Sequence, residues 1–496
     1  MAPSHKHAKV IIVGSGFSGI GMAIRLKEAG VEDLIVLERA SEVGGTWQAN
    51  TYPGCTCDVP SHLYSFSFAP NPEWSSTYSP QPEIRDYLRR CADQFGVRPH
   101  LRLNVEVELA TWREDDQLWE LRTSAGTFTA NVVVSAMGPL TEPKMPDVPG
   151  LDAFEGAVMH SGRWDHDYDL AGKRVASIGT GASAIQYVPE ICGDVDQLYV
   201  FQRTAPWIMP HGKRPIHDVE RKLYRRLPLA QKLVRGAVYA ARELLVLGFA
   251  KRPRIMGGLE RLARSHRDKQ ISDPQLRRDV TPDYTLGCKR MMPSNHWYRA
   301  LQRPNVELVP SCLREVRARS VVDADGVDRE VDAIVLGTGY HVTDIPSAHH
   351  VRGRDDVLLS DVWHGSPRAY LGTAMPGFPN FFMLLGPNTG LGHSSMVYMI
   401  ESQVEHVRTA IRAMDAADAA TIEVRSEAHD AFNRDVDARM RGTVWDVGGC
   451  SSFYLDSTGR NATLWPDWTW RFRRRAKRFD TAAYQLTARA PAEVVA

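Results

Sequence analysis

Two turns of the form G-x-G-x-x-[G/A], each set between an apolar strand and a helix, constrain this chain more than any other feature. The first lies in KVIIVGSGFSGIGMAIRLKEAG, where Gly14, Gly16 and Gly19 follow a buried-strand pattern and precede apolar residues at helical spacing. Gly14 permits the tight turn and Gly16 lets the backbone approach a pyrophosphate. Gly19 lets the helix pack on the strand with its N-terminal N–H groups toward the phosphates. The next strand, LIVLERA, brings in Glu38 about twenty residues later, where a carboxylate accepts hydrogen bonds from ribose hydroxyls.

The pattern returns in KRVASIGTGASAIQYVPEI, with Gly179, Gly181 and Ser183 in the turn and Ala184 at the third position. Its following strand, QLYVFQRTAPW, ends on Gln202, Arg203 and Thr204 in place of an acid. A carboxylate there would repel a 2′-phosphate that Arg203 can bind. The first site therefore fits FAD and the second NADPH, the pair expected where hydride passes from a nicotinamide to a flavin. The fold class expected is α/β, with two Rossmann-like dinucleotide-binding domains. Apolar strands closed by glycine, NVVVSAMGPL at 131–140 and DAIVLGTGY at 332–340, read as the two crossings between them. The expected division is FAD domain 1–141, NADPH domain 142–331 and the rest of the FAD domain 332–496. Residues 212–286, rich in Arg, Leu and Ala, read as a helical insertion in the NADPH domain.

Composition narrows the function classes. Sixty basic and fifty-nine acidic residues leave a net charge of +1, which gives no broad footprint for nucleic acid. The most apolar later stretch, 233–250, is interrupted by Arg235, Arg242 and Glu243. It reads as an amphipathic helix against the protein's own core, without stable membrane insertion. The basic run RFRRRAKRF at 471–479 reads as the exposed face of a terminal helix. Seven cysteines without paired C-x-x-C spacing read as reduced thiols, and with no signal peptide pattern the expected location is cytoplasmic.

Two further strings carry a resemblance. FEGAVMHSGRWD at 154–165 sets Phe154, Gly156, His160 and Trp164 at the spacing F-x-G-x-x-x-H-x-x-x-W, and GGTWQANTYPGCTCD at 44–58 contains Gly45, Thr46, Trp47 and Asp58. Together they resemble the fingerprints of type I Baeyer–Villiger monooxygenases, flavoproteins related to the flavin-containing monooxygenases. The resemblance implies an enzyme that uses FAD, NADPH and O2 to insert oxygen beside the carbonyl of a small-molecule ketone, through a flavin C4a-peroxide. It places the catalytic arginine at Arg290 in GCKR, oriented by Asp58, with Lys289 near the NADPH 2′-phosphate. It makes Phe154, Gly156, His160 and Trp164 a joint between the domains. The turn GPNTGLGH adds Asn388 as a cofactor contact, with His393 read as exposed and a helix beginning near Ser394. Phe453 stands where the family often has a tryptophan whose N–H reaches the nicotinamide cofactor, so closure over NADP+ is expected to be looser.

Rival readings remain at this level. An N- or S-oxygenating flavin monooxygenase shares every cofactor motif and is distinguished by Asp58 and Arg290. A flavin disulfide reductase needs a wider cysteine pair than Cys55 and Cys57. A redox sensor that has lost oxygenation is the third. The particular ketone and the oligomeric state are not legible.

Overall fold

The computed structural model describes residues 6–488. His7–Val13 is buried from Val10 onward, which is why it reads as an unbroken apolar run. It pairs in parallel with Leu34–Leu37 on one side and Gly126–Ser135 on the other. The sheet runs in the order Val351–Arg352, Val107–Arg113, Leu118–Thr123, Gly126–Ser135, His7–Val13, Leu34–Leu37, Leu101–Arg102. Gly126–Ser135 also takes Phe381–Met383 as a parallel partner near its end, so the later chain rejoins the first sheet there. The helix Phe17–Glu28 follows the first glycine turn and packs against the long helix Met396–Ala416.

A second sheet is parallel throughout, in the order Val306–Val309, Gln197–Phe201, Arg174–Ile178, Ala333–Leu336, Ala157–His160. This corrects one expectation. Ala333–Leu336, read as the start of the returning FAD portion, lies in the second sheet between Arg174–Ile178 and Ala157–His160. The reason is visible in the glycine turns. Gly14 has φ +103°, and a Cβ there would sit 2.8 Å from the carbonyl oxygen of Ala136, just past Gly126–Ser135. Gly179 has φ +102°, and its Cβ would sit 2.7 Å from the carbonyl oxygen of Gly337, just past Ala333–Leu336. Each turn presses against the neighbouring parallel strand, and the second unit needs Ala333–Leu336 for that purpose. The chain leaves the second sheet after it, where the outgoing and returning segments touch through the Lys144 N–H on the carbonyl of Gly339 and the bridge between Pro143 and Tyr340.

Between the strands of the second sheet come the helices Asp218–Arg226, Pro228–Glu243, Met256–Asp268 and Pro274–Asp279. Pro228–Glu243 lies against the 62–71 loop of the first unit: Gln231 donates to the carbonyl of Asn71, and Arg235 donates to the carbonyls of His62, Leu63 and Ser65. Its inner face carries Val234, Val238 and Tyr239 onto the core, but Leu233 and Leu244 point outward. The expectation that this stretch buries its apolar residues against the protein holds for one face only.

Candidate active site

Both nucleotide cradles are built by steric exclusion. A Cβ on Gly45 (φ +54°) would come within 2.9 Å of the Cα of Gly16, so the two backbones touch with no side chain between them. Gly181 has only one atom near a Cβ position, at 3.9 Å, which leaves its backbone open. The helices Phe17–Glu28 and Ala184–Ile191, with N-caps at Gly16 and Ser183, have no side-chain cap, so their first N–H groups are available to an anion. Gly19 is enforced, since a Cβ would lie 1.8 Å from the carbonyl oxygen of Gly14. Glu38 is buried and accepts from the Ser15 N–H and hydroxyl on one oxygen and from the Ala40 N–H on the other. The oxygen bonded to Ala40, Oε1, keeps acceptor capacity for a ribose hydroxyl. These features fit FAD at the first cradle.

At the second, Arg203 is exposed beside Thr204, whose carbonyl accepts from Thr180. Lys289 lies over the ring of Tyr284, and its ammonium is pulled below its ordinary pKa by burial and then by the charge of Arg203. Two cations held together are a ready site for the extra phosphate that distinguishes NADPH.

Arg290 and Asp58 meet across 232 residues of chain. The Arg290 Nε donates to Asp58 Oδ2 at 2.7 Å and Nη2 donates to Oδ1 at 2.6 Å, a two-bond fork. Local structure places each partner. Asp58 ends a turn pinned by the Cys57 N–H on the carbonyl of Ser79. The GCKR turn depends on Gly287 (φ +97°), where a Cβ would strike the ring of Phe249 at 2.3 Å. Burial pushes the Asp58 carboxyl up, but the Arg290 guanidinium more than offsets this and holds it below the usual carboxylate range. Asp58 in turn raises Arg290, against the effect of burial, so the pair is ionised on both sides. The Arg290 side chain still has 34 % of its surface exposed, so the pair is within reach of a reactant.

The string around Asp58 also docks the first unit on the second. The Tyr52 hydroxyl donates to Gln186 Oε1 at 3.0 Å, and Gln186 closes a reciprocal pair with the backbone of Thr56. Gly54 sits so close that a Cβ would be 2.8 Å from Glu190 and 3.0 Å from the carbonyl of Gln186. Trp47 lies nearby, its indole N–H donating to the Tyr64 hydroxyl, and the Asn50 side chain donates to the carbonyl of Thr46. From the other side the 154–165 string arrives on the edge strand Ala157–His160. Phe154 packs over Gly156, where a Cβ would clash with the ring at 2.6 Å. Trp164 packs against Tyr187, which also meets Tyr52. His160 is buried, accepts from the Gly162 N–H on Nδ1, and lies edge-on to Tyr340. Burial lowers its pKa to about 4. The Tyr340 hydroxyl then donates to Asn50, so both strings converge on one seam.

Three expectations change. His393 is buried, not exposed, with Nε2 3.6 Å from the Glu243 carboxylate, because the turn is roofed by the insertion. Asn388 gives its side chain to protein: Nδ2 donates to the carbonyls of Asn461 and Leu464, and Oδ1 accepts from Arg460. It ties the Gly-Pro turn to the 460–464 segment, leaving its amide no hydrogen for a cofactor. Cys288 and Cys450 form a disulfide, so the cysteines are not all reduced thiols. That bond joins the GCKR turn to the loop of Phe453, whose ring is half exposed. The helix expected near Ser394 is Met396–Ala416, with the Ser395 hydroxyl capping the Val397 N–H.

Motif reading missed Gln186, Arg242 and Tyr454. Tyr454 is buried and its phenol is pushed up to about 12 by burial, with Arg290 and Asp58 both within electrostatic reach. Arg242 donates to the Tyr78 hydroxyl and acts on Asp58 from the insertion. Adjacency to Phe453 was the one available signal for Tyr454; Gln186 and Arg242 lie in helices with nothing in sequence to mark them.

Residues 11–232 match the family described as pyridine nucleotide-disulphide oxidoreductase. Cys55 and Cys57 are both buried, and burial raises the pKa of each, which is unlike a dithiol poised for exchange. A Baeyer-Villiger monooxygenase of Streptomyces coelicolor is 53 % identical over 99 % of this chain and 95 % of its own length. One of Pseudomonas aeruginosa is 50 % identical over 97 % of this chain and 92 % of its own. Among solved structures, cyclohexanone monooxygenase from Rhodococcus sp. Phi1 bound to NADP+ superposes with a TM-score of 0.84 at 29 % identity, over 97 % of this chain and 99 % of that one. OTEMO in complex with FAD and NADP superposes with a TM-score of 0.87 at 28 % identity, over 97 % and 99 %.

Proposed function

The chain belongs to the Baeyer–Villiger monooxygenases, and from that premise we propose how its own side chains divide the work. It is an FAD-dependent enzyme that consumes NADPH and O2 to insert one oxygen atom beside a ketone carbonyl, giving an ester or lactone. Bound FAD, reduced by NADPH, supplies the activated oxygen.

The observation that carries the assignment of roles is the two-bond Asp58–Arg290 fork with a third of the arginine side chain still exposed. Of the five guanidinium donors, two go to Asp58 and three remain for the reacting centre. Arg290 stays cationic throughout, because arginine does not give up its proton. It favours negative charge on the attacking oxygen and then on the carbonyl oxygen as that carbon becomes tetrahedral. Fixed donors of this kind are worth about 2.7–4 kcal/mol at the transition state. Asp58 is the positioning residue that holds the guanidinium plane. Gly14, Gly16, Gly19, Gly45, Thr46 and Trp47 surround the flavin nucleotide, and Glu38 takes its ribose. Gly179, Gly181, Ser183 and Thr204 hold the NADPH pyrophosphate side, with Arg203 and Lys289 on the 2′-phosphate. The seam of Phe154, Gly156, His160 and Trp164 transmits movement of the NADPH unit to the Asp58–Arg290 pair.

The domain division follows: an FAD unit to about residue 141, the NADPH unit, and a return to the FAD unit in the 337–341 segment. The substrate is a small-molecule ketone, as the name of the cyclohexanone-oxidising relative suggests. The cytoplasm, where NADPH is regenerated, is the location that suits this reductant, and the Cys288–Cys450 bond is then unusual for its compartment. Arg290→Ala tests the central role. Flavin reduction by NADPH should persist while ester formation is lost. A variant that oxygenates ketones at the normal rate would sink the assignment.

A further inference from the structure

The insertion carries a surface that the reaction does not use. The inner face of Pro228–Glu243 is fastened to the protein by Gln231 and Arg235, so its opposite face is turned outward. On that face Leu229, Leu233 and Leu244 are 61 %, 66 % and 61 % exposed, with the small residues Gly236, Ala237 and Ala240 exposed between them. The spacing follows one side of a helix, and the stripe is about 22 Å long. Leu223 and Leu227 extend it into the preceding helix and Ile255 into the following segment, all three exposed.

Charge decides what fits this face. Residues 218–264 hold twelve Lys and Arg against four Asp and Glu, although the whole chain is only +1. Lys222, Arg226, Lys232, Arg252, Arg254 and Arg261 are exposed, and none forms an ion pair among the described residues. A second copy of this chain would bring the same cations against themselves. An anionic surface with an apolar interior satisfies both the leucines and the cations. The adjoining helix Thr469–Lys477, bonded through Thr469 to Glu243 and Tyr239, adds further exposed cations such as Arg474 near this element. Among the described residues no helix is long and apolar enough to cross a membrane, so the contact is peripheral.

We propose that the outward face of residues 218–264 docks on an anionic lipid surface, laying its leucines among the acyl chains and its cations against the headgroups. The test is co-sedimentation of the FAD-loaded enzyme with vesicles of three parts phosphatidylcholine to one part phosphatidylglycerol, against pure phosphatidylcholine. At low salt most of the enzyme should pellet with the anionic vesicles. At least five-fold less should pellet with neutral ones, or when about 0.5 M salt shortens the screening length. Leu229→Asp with Leu233→Asp, and separately Lys222→Glu with Lys232→Glu, should stay in the supernatant while ketone-dependent NADPH oxidation is unchanged. Equal pelleting with neutral vesicles, absence of pelleting, or variants that pellet like the wild type would overturn the proposal. So would a dimer in sedimentation velocity that the leucine variants abolish, since the face would then belong to a second copy.

Discussion

Replacing Asp58 by Asn isolates the positioning role of the carboxylate, because the side chain keeps its shape, loses its charge and exchanges one acceptor oxygen for an NH2 donor. In the native pair Arg290 donates twice, at 2.7 and 2.6 Å. An amide can accept one of these bonds at its oxygen, but its NH2 then faces an N–H of the guanidinium, donor against donor. Charge-assisted hydrogen bonds contribute about 1.5–3 kcal/mol each. Removing one partner of a buried ion pair costs about 3–5 kcal/mol where both charges are desolvated. Arg290 keeps a third of its surface exposed, so water relieves part of that loss and the lower end applies. About 3 kcal/mol at the transition state corresponds to roughly a hundred-fold fall in the oxygenation rate. Flavin reduction by NADPH needs no such orientation and should change little. The assay pairs stopped-flow reduction of the flavin with ester formed per NADPH consumed. Asp58→Asn should reduce the flavin at near the native rate, and most of the NADPH should end as hydrogen peroxide. Native coupling in this variant would refute the reasoning, since Arg290 would then need no orienting partner.

Arg203→Ala should raise the apparent KM for NADPH roughly ten- to a hundred-fold, from the loss of one charge-assisted contact, and leave that for NADH nearly unchanged. An unaltered ratio in steady-state kinetics would mean that the 2′-phosphate is read elsewhere. Gly54→Ala places a Cβ against Glu190 and the Gln186 carbonyl at φ +76°, so thermal unfolding should show a loss of about 1–3 kcal/mol and weaker coupling between the units; a native melting temperature argues against the seam. Burial holds His160, His211 and His406 at a pKa of about 4. The unfolded chain, with imidazoles near 6.5, takes up these protons first, so stability is full above that value and is lost as pH falls toward 4. Melting temperature measured at steps from pH 7 to 4.5 should fall throughout, and a flat profile would contradict the burial of these rings.

The parts of this protein that were legible in sequence are those whose chemistry is local. The turns at Gly14 and Gly179 announce themselves because strand, glycines and helix are contiguous, and each needs a positive φ within a few residues of its strand. The contrast between Glu38 and Arg203 was readable for the same reason, since each follows its own strand directly. Misreadings arose where two tertiary environments give the same local pattern. Ala333–Leu336 is a buried apolar run closed by glycine, as Gly126–Ser135 is at its end, and nothing in either string says which sheet receives it. His393 follows a Gly-Pro turn that would be wet if Phe249 and Glu243 of the insertion did not pack there. Asn388 has a turn residue's positive φ, but its amide is consumed by a segment more than seventy positions away.

The sequence by itself determined that there would be two nucleotide cradles, which one repels a 2′-phosphate, and where a cationic turn and an acidic turn would stand. Only the tertiary structure decided that these turns meet, because a bond of 2.6 Å between residues 232 apart depends on how the 51–58 segment closes against the helix Ala184–Ile191 and on how Gly287 yields to Phe249. It likewise decided that Cys288 and Cys450 are bonded across 162 positions, and that the leucines of Pro228–Glu243 face outward while its Arg235 faces in. Hydrogen bonds and side-chain contacts act over a few ångströms, so their partners are chosen by chain closure, which a periodic pattern does not encode.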